Sequence, residues 1–383
     1  MKSQTGALED FLGKRRDQWR AALEVTPLRS GAQAYPAMLA AIAGATRSIV
    51  FEMYIFADDR IGRRFASALG ERAAAGVSVR LIYDAVGSFR FALRESLEAA
   101  GVQVVEFHPI APWRKRFNLS HRDHRKIMVV DDEVGFVGGI NIGEDYADLN
   151  DGGKGWHDLH CRVRGEVVTD LARSFRRTWI HNGGALYDAP VLLSSVGRPM
   201  ITPPAIRVVE NGPLKSLAIR SAYLRAIANA RDHVQLQNAY FLPDRSVRAA
   251  LIRARKRGVA VTVIVPGRSD MRSVQWASLY VFRRLIPHGV RVLRWRGPMM
   301  HAKSAVVDAS WSTIGSYNLD ARSLRYNLEV AVEIVSATTG AQMSEAFTRD
   351  TVNCDEFSHT EWSNLPWYHK ALAWLMYRFR RWM

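Results

Sequence analysis

Apolar residues change period along this chain in a regular rhythm. Residues 36–45 carry apolar positions at helical spacing, 48–55 form a β-branched and aromatic run, and 61–75 return to helical spacing before Gly76. The glycine closes a helix, and a strand is predicted over 77–83. The series then returns as helix 221–230, strand 233–241, helix 246–257, Gly258 and strand 259–265. Strands alternating with helices predict an α/β fold, a sheet with helices packed on its faces. The repetition predicts two such units.

Two further apolar strands carry a polar signature. His124-Arg125-Lys126 leads into 127–130 and ends at Asp131, while His301-Ala302-Lys303 leads into 304–307 and ends at Asp308. Both read H-x-K-x4-D. Gly138 and Asn141 return as Gly315 and Asn318, and every pair is 177 residues apart. Five residue types kept at one offset indicate a duplicated unit. Each motif strand is read as one arm of a hairpin, which makes the sheet mixed.

Residues two apart on a strand share a face, so His124 and Lys126 project together, as do His301 and Lys303. With turns centred on Asp132-Glu133 and Ala309-Ser310, Asn141 is predicted opposite His124 and Asn318 opposite His301. Imidazole, ammonium and amide then converge twice. Such a set suits a phosphodiester: Lys126, Lys303, Asn141 and Asn318 hold non-bridging oxygens, one imidazole attacks phosphorus, and the other protonates the departing alkoxide. One copy supplies one imidazole, so the chemistry needs the copies face to face. Asp131 and Asp308 complete the catalytic motif, although their odd offset turns them from the imidazole face and suits a structural role. Beyond each hairpin a strand opens with an acid, Asp158 or Glu329. Either carboxylate could orient an imidazole through Nδ1, and the sequence leaves open which acid serves which histidine. His157 and His160 flank Asp158 but face opposite sides of a strand, which argues against a zinc site.

The doubled motif, with Gly138, Gly139 and Asn141 in one half and Gly315, Ser316 and Asn318 in the other, resembles the phospholipase D superfamily. Within it, the runs at 124–143 and 315–329 are similar to bacterial cardiolipin synthases, and the resemblance covers about residues 30–350. It implies two pseudo-symmetric phospholipase D-like halves, each a mixed β-sheet flanked by helices, sharing one active site at their interface. On this reading residues 1–31 form an N-terminal helical segment, 32–198 the first half, 199–350 the second, and 351–383 a basic amphipathic tail. The resemblance further implies a phosphohistidine intermediate with no metal or cofactor, His124 as nucleophile, and His301 as general acid and later base. The implied reaction makes cardiolipin from phosphatidylglycerol and releases glycerol. Hydrolysis, or cleavage of nucleic acid by the same fold, is the alternative.

Charge and the chain ends bear on the partner. A net charge of +16 implies an anionic partner, phospholipid or nucleic acid. The segment 367–383 mixes helically spaced apolar residues with Trp374, Arg378, Arg380 and Arg381, which suits a membrane surface or docking onto the catalytic domain. From Gly101-Val102 to His124 is 23 residues, against 12 from Gly289-Val290 to His301. The extra loop carries Trp113, Arg114, Lys115 and Arg116 and is expected to touch headgroups. Anionic phospholipids (phosphatidylglycerol and cardiolipin) and the membrane surface are therefore the expected partners. Nucleic acid is disfavoured, because single-motif nucleases complete their site by dimerising whereas this chain carries both copies. Oligomeric state stays open. Residues 10–23 are predicted helical, and neither a signal peptide nor an 18-residue apolar run is visible, so a peripheral place at the cytoplasmic face of the bacterial inner membrane is expected. Cys161 and Cys354 indicate no disulfide framework and a reducing compartment.

Overall fold

The computed structural model describes residues 18–188, 204–212 and 216–381. The first half supplies β1 (Arg20–Arg29), β2 (Ser48–Met53), β3 (Ser78–Asp84), β4 (Gln103–Phe107), β5 (Ile127–Val130), β6 (Val134–Gly138) and β7 (Leu159–Gly165). The second supplies β8 (Ala205–Gly212), β9 (Ser216–Leu217), β10 (His233–Asn238), β11 (Ala260–Pro266), β12 (Arg291–Trp295), β13 (Lys303–Val307), β14 (Trp311–Gly315), β15 (Glu329–Val335) and β16 (Cys354–Glu356). From the middle outward the sheet runs β1-β7-β6-β5-β2-β3-β4 on one side and β8-β15-β14-β13-β10-β11-β12-β16 on the other. The two series match strand for strand until β16 is added. They join where β1 pairs antiparallel with β8, through Arg20↔Ile206 and Ala21↔Ala205. Only β2-β3-β4 and β10-β11-β12 run parallel, so the sheet is mixed.

Helix formation follows the apolar spacing. Helix Arg60–Ala74 buries Ile61, Phe65 and Leu69, and its start is capped by Asp59, which accepts from the Gly62 amide. Helix Arg245–Lys256 repeats the device, with Asp244 accepting from Ser246 and Val247. Gly76 and Gly258 follow these helices at φ +89° and +91°, a backbone only glycine adopts freely. A shared core then fuses the halves. Val137 and Val163 of the first sheet half, Ile314 and Val332 of the second, and Phe175 and Phe347 from helices Val167–His181 and Ala337–Thr351 lie in one buried cluster. Each such side chain contributes about 1.5–3 kcal/mol by leaving water, so the halves do not separate cheaply.

Four expectations change. The helix predicted over 10–23 gives way to strand from Arg20 onward, because this segment must pair with β7 on one edge and β8 on the other; residues 10–17 lie outside the described ones. The helix predicted over 36–45 spans Ser30–Ala43 and starts well before Pro36, anchored by Gln33, whose side chain accepts from the Arg29 amide at 2.8 Å. The hairpin register is shifted by one residue, since Val130 pairs with Val134 and Val307 with Trp311. Each turn holds three residues, the first two left-handed: Asp131 and Asp132 at φ +52° and +56°, Asp308 and Ala309 at +50° and +47°. The tail, finally, docks and stays amphipathic at once. Helix Trp367–Phe379 lies on helix Arg272–Leu285, with Ala373 and Tyr377 buried and the rings of Tyr280 and Tyr377 4.7 Å apart. Trp374, Arg378 and Arg381 face outward, but Arg380 turns back over the Tyr377 ring at 4.0 Å.

In the extra loop Trp113 is 86% exposed and Lys115 is exposed. Arg114 instead pairs with Glu106, and Arg116 lies against Gly183. Of the loop's three cations, Arg114 is thus already paired with a protein carboxylate. No helix among the described residues is long and apolar enough to cross a membrane.

Candidate active site

Each motif histidine sits just before its strand, on a stretch stitched to the other half. The His124 amide donates to the Leu328 carbonyl at 3.0 Å, and the Leu328 amide donates to Arg122 at 2.8 Å. The second half mirrors this: the His301 amide donates to His157 at 2.7 Å, and His157 donates to Met299 at 2.9 Å. These two short parallel bridges carry the orienting acids across the boundary. His124 Nδ1 lies 3.0 Å from Glu329 Oε2, and His301 Nδ1 lies 2.7 Å from Asp158 Oδ2. Each imidazole is therefore held by the carboxylate of the opposite half. With Nδ1 given to the acid, Nε2 is the nitrogen free for chemistry.

Both lysines are fully sheathed. Lys126 Nζ donates to the His124 carbonyl at 2.6 Å and lies 5.1 Å from the Tyr54 ring centre. Lys303 Nζ donates to the His301 carbonyl and also lies 2.8 Å from His301 Nδ1. An ammonium cannot donate to a protonated nitrogen, so we assign the Nδ1 proton to the bond with Asp158 and the lysine to the carbonyl. Burial pushes the Lys126 ammonium down to about 7 and that of Lys303 down to about 8, partly offset by Glu329 and Asp158. Burial also lowers His124, and it lowers His301 well below the ordinary imidazole value, with Lys303, Lys126 and His124 adding to the effect. Asp158 is raised by burial, against the pull of Lys303. Two buried ammonium groups and two imidazoles thus gather around the Asp158 and Glu329 carboxylates, with Asp123, Asp270 and Asp320 acting from further out, and the ammonium groups are the donors available to an added anion.

The two carboxylate sites differ, and the difference explains the Gly-Gly and Gly-Ser forms of the repeat. A Cβ on Gly139 would meet Asp158 Oδ1 at 2.3 Å, so only glycine admits that carboxylate. At the matching position Ser316 donates its hydroxyl to Glu329 Oε2, and Asn327 Nδ2 donates to Oε1 at 3.1 Å. Tyr54 packs edge-on to His124 at 4.9 Å, while Tyr146, Trp156 and Tyr240 surround His301 at 5.5, 5.8 and 6.1 Å. Sequence reasoning missed these aromatic walls; no spacing links them to the motif. Ser316 stood inside the repeat and was legible only as a variation.

Other expected residues land elsewhere. Asn141 does not oppose His124: its amide Nδ2 donates to the Tyr146 hydroxyl at 2.7 Å, and that hydroxyl lies 3.1 Å from His301 Nδ1. Asn318 is buried, with no partner for its Oδ1 among the described residues. Asp131 and Asp308 sit at the far end of β5 and β13 from the histidines, where they bind backbone. Asp131 accepts from the amides of Thr46, Arg47 and Ser48, each at 2.8 Å. Asp308 accepts from Arg231, Asp232 and His233 at 2.8–2.9 Å. Grouping them with the catalytic residues is thus corrected: they clamp the hairpin turn to the start of β2 or β10. Among the described residues no cluster of three or more His, Cys, Asp or Glu side chains is arranged to hold a metal.

Residues 38–179 and 223–351 match the family model described as cardiolipin synthase, PLD-like domain. A cardiolipin synthase of Halalkalibacterium halodurans is 32% identical over 348 residues, covering 90% of this chain and 69% of its own length. Cardiolipin synthase A of Pseudomonas fluorescens is 35% identical over 348 residues, covering 88% of this chain and 70% of its own. A phosphatidylserine synthase structure from Haemophilus influenzae Rd KW20 superposes with a TM-score of 0.72 at 14% identity, over 99% of this chain and 98% of that one, a likeness of fold. Matched across both repeats, and about a third identical to curated relatives over nearly nine-tenths of its length, the chain belongs to the phospholipase D-like cardiolipin synthase family of phosphatidyltransferases.

Proposed function

We propose that this enzyme joins two phosphatidylglycerol molecules at a membrane surface to give cardiolipin and glycerol. His124 Nε2 attacks phosphorus of the first lipid while His301 gives its Nε2 proton to the departing glycerol oxygen. The P–O bond to glycerol breaks as the P–N bond to His124 forms. His301, now neutral, takes the proton of the terminal hydroxyl on the second lipid, whose oxygen displaces His124 from phosphorus. Lys126 and Lys303 hold the phosphate oxygens through both steps, and proton transfer of this kind supplies roughly 10²–10⁴ in rate. The diester anion also draws the depressed imidazole pKa values upward, which lets His301 carry the proton it must donate.

The observation that carries the reading is the crossed pairing of His124 with Glu329 and His301 with Asp158 beside two buried ammonium groups. It supports a reading in which two unlike imidazoles serve one phosphorus, the requirement of a two-step displacement. Catalysis at the cytoplasmic face belongs to the same proposal. The test incubates purified enzyme with phosphatidylglycerol vesicles, follows cardiolipin and glycerol in equal amounts, and traps the phosphatidyl-histidine peptide by mass. Modified His124 is expected. Phosphatidic acid without cardiolipin would make it a hydrolase, and cleavage of single-stranded DNA without lipid turnover would reject the lipid reading.

A further inference from the structure

Away from the histidines, the docked tail closes one side of a groove of about 1110 Å³. Its walls come from helices Arg245–Lys256, Arg272–Leu285, His359–Asn364 and Trp367–Phe379. Five permanent cations line it, Arg245, Arg248, Arg283, Arg284 and Lys370, and among the described residues the lining holds no carboxylate. Where these side chains bond to protein, the partners are neutral: Arg248 to the Pro243 carbonyl, Arg284 to the Tyr280 hydroxyl, Lys370 to the Ser363 carbonyl. Glu361, next to the groove residue Trp362, is taken by Arg294 at 2.7 and 2.9 Å. Gathering like charges is unfavourable unless an anion joins them.

The floor identifies the kind of anion. Arg283 lies 5.8 Å from the ring centres of both Tyr280 and Trp362, so charge sits over aromatic faces. Trp374, 49% exposed, belongs to the groove and also to an outward stripe with Leu375 and Phe379, 41% and 51% exposed. A free phosphate has no use for that stripe, and a nucleic acid has no use for aliphatic surface leading away from the cations. A bilayer lipid uses both, with its headgroup on the arginines and its chain along the apolar face.

We propose that this groove is a second anionic-phospholipid site, separate from the histidine pair, that seats the enzyme on its membrane. The headgroup phosphate lies among Arg283, Arg284 and Lys370, and an acyl chain follows Trp374, Leu375 and Phe379. The proposal takes its lipid class from the phosphatidyltransferase reading but none of its chemistry.

The test compares wild type with R283Q/R284Q/K370Q in cosedimentation with phosphatidylcholine vesicles, with and without phosphatidylglycerol. Affinity for the anionic vesicles is expected to fall on the order of 100-fold, with neutral vesicles unaffected. R283K/R284K is expected to keep wild-type binding, which separates loss of charge from misfolding, and turnover of a short-chain, monomeric phosphatidylglycerol stays unchanged. Wild-type vesicle binding by the triple variant overturns the proposal. So does displacement of the enzyme from vesicles by inorganic phosphate at constant ionic strength, or an oligonucleotide affinity that falls with the substitutions while vesicle binding does not. Absent turnover in wild type, with groove-dependent vesicle binding intact, overturns the reaction assignment while supporting the groove.

Discussion

Glu329→Gln and Asp158→Asn probe the crossed pairing, because each removes the charge that holds one of the two imidazoles. Glu329 is fully buried and accepts from His124 Nδ1, the Ser316 hydroxyl and Asn327. The amide keeps the volume but can offer an N–H to Nδ1, which turns His124 to the tautomer whose Nε2 carries the proton and cannot attack. Replacement of an orienting carboxylate of this kind costs about 10⁴ in rate in the serine-protease case, and roughly 10³–10⁴ is expected here, or about 4–5.5 kcal/mol. Asp158→Asn should cost a similar factor in steady state, but through His301, the acid. A p-nitrophenyl diester separates them, since its leaving group departs without a proton. In stopped-flow absorbance Asp158→Asn should keep the first-turnover burst of p-nitrophenolate and lose turnover, while Glu329→Gln loses the burst. A burst in Glu329→Gln but not in Asp158→Asn would reverse the two histidines' roles. A loss below tenfold in both variants would refute the orienting role.

The remaining predictions concern charge, clamps and close contacts. With Lys126 down to about 7 and Lys303 down to about 8, both ammonium groups discharge as pH rises, so the affinity for a dialkyl phosphate, whose charge is constant in this range, should fall steadily from pH 7 to 9 by calorimetry; Lys303→Met should remove the upper part of that fall. Asp131→Ala or Asp308→Ala should each cost about 2 kcal/mol in denaturant unfolding, from lost bonds to three strand-start amides, with activity recovered below the unfolding range. The Asp131 carboxyl is pushed up by burial but held below its ordinary value of 3.8 by the amides of Ser48, Thr46 and Arg47. That stabilisation is therefore complete above about pH 4 and is lost as pH falls through the lowered value, so wild type and Asp131→Ala should converge in acid unfolding. Gly139→Ala should abolish turnover like Asp158→Asn by displacing the carboxylate, whereas Ser316→Ala, losing one hydrogen bond, should cost roughly three- to tenfold in kcat.

Local pattern carried much of the fold. The helices over 60–74 and 245–256 and the strands that follow them, over 78–84 and 260–266, were legible to within a residue or two, because each helix buries an amphipathic face at a single period and is followed by a glycine that must be left-handed. β1 was not legible. Its charged and apolar residues suit a helix equally well, and only the neighbouring β7 and β8 edges, far away in sequence, make a strand of it. The hairpin register failed by one residue because Asp-Asp-Glu and Asp-Ala-Ser contain no glycine to announce two successive left-handed residues. There the side chains of Asp131 and Asp308 hold the turn through amides about 80 residues earlier, an interaction no local window contains.

By itself the sequence determined that one set of polar groups comes twice: His124 with Lys126, His301 with Lys303, and one acid after each hairpin, since duplication preserves residue type and spacing along a chain. Only the tertiary structure decided that each imidazole takes the other half's carboxylate. That exchange depends on backbone bridges at Leu328 and His157, 204 and 144 residues from the histidines they hold. Spacing along a chain fixes the partner of a residue only over a turn or a ladder; across a pseudo-two-fold boundary the partner is set by how two sheets join, and that is a property of the packed core.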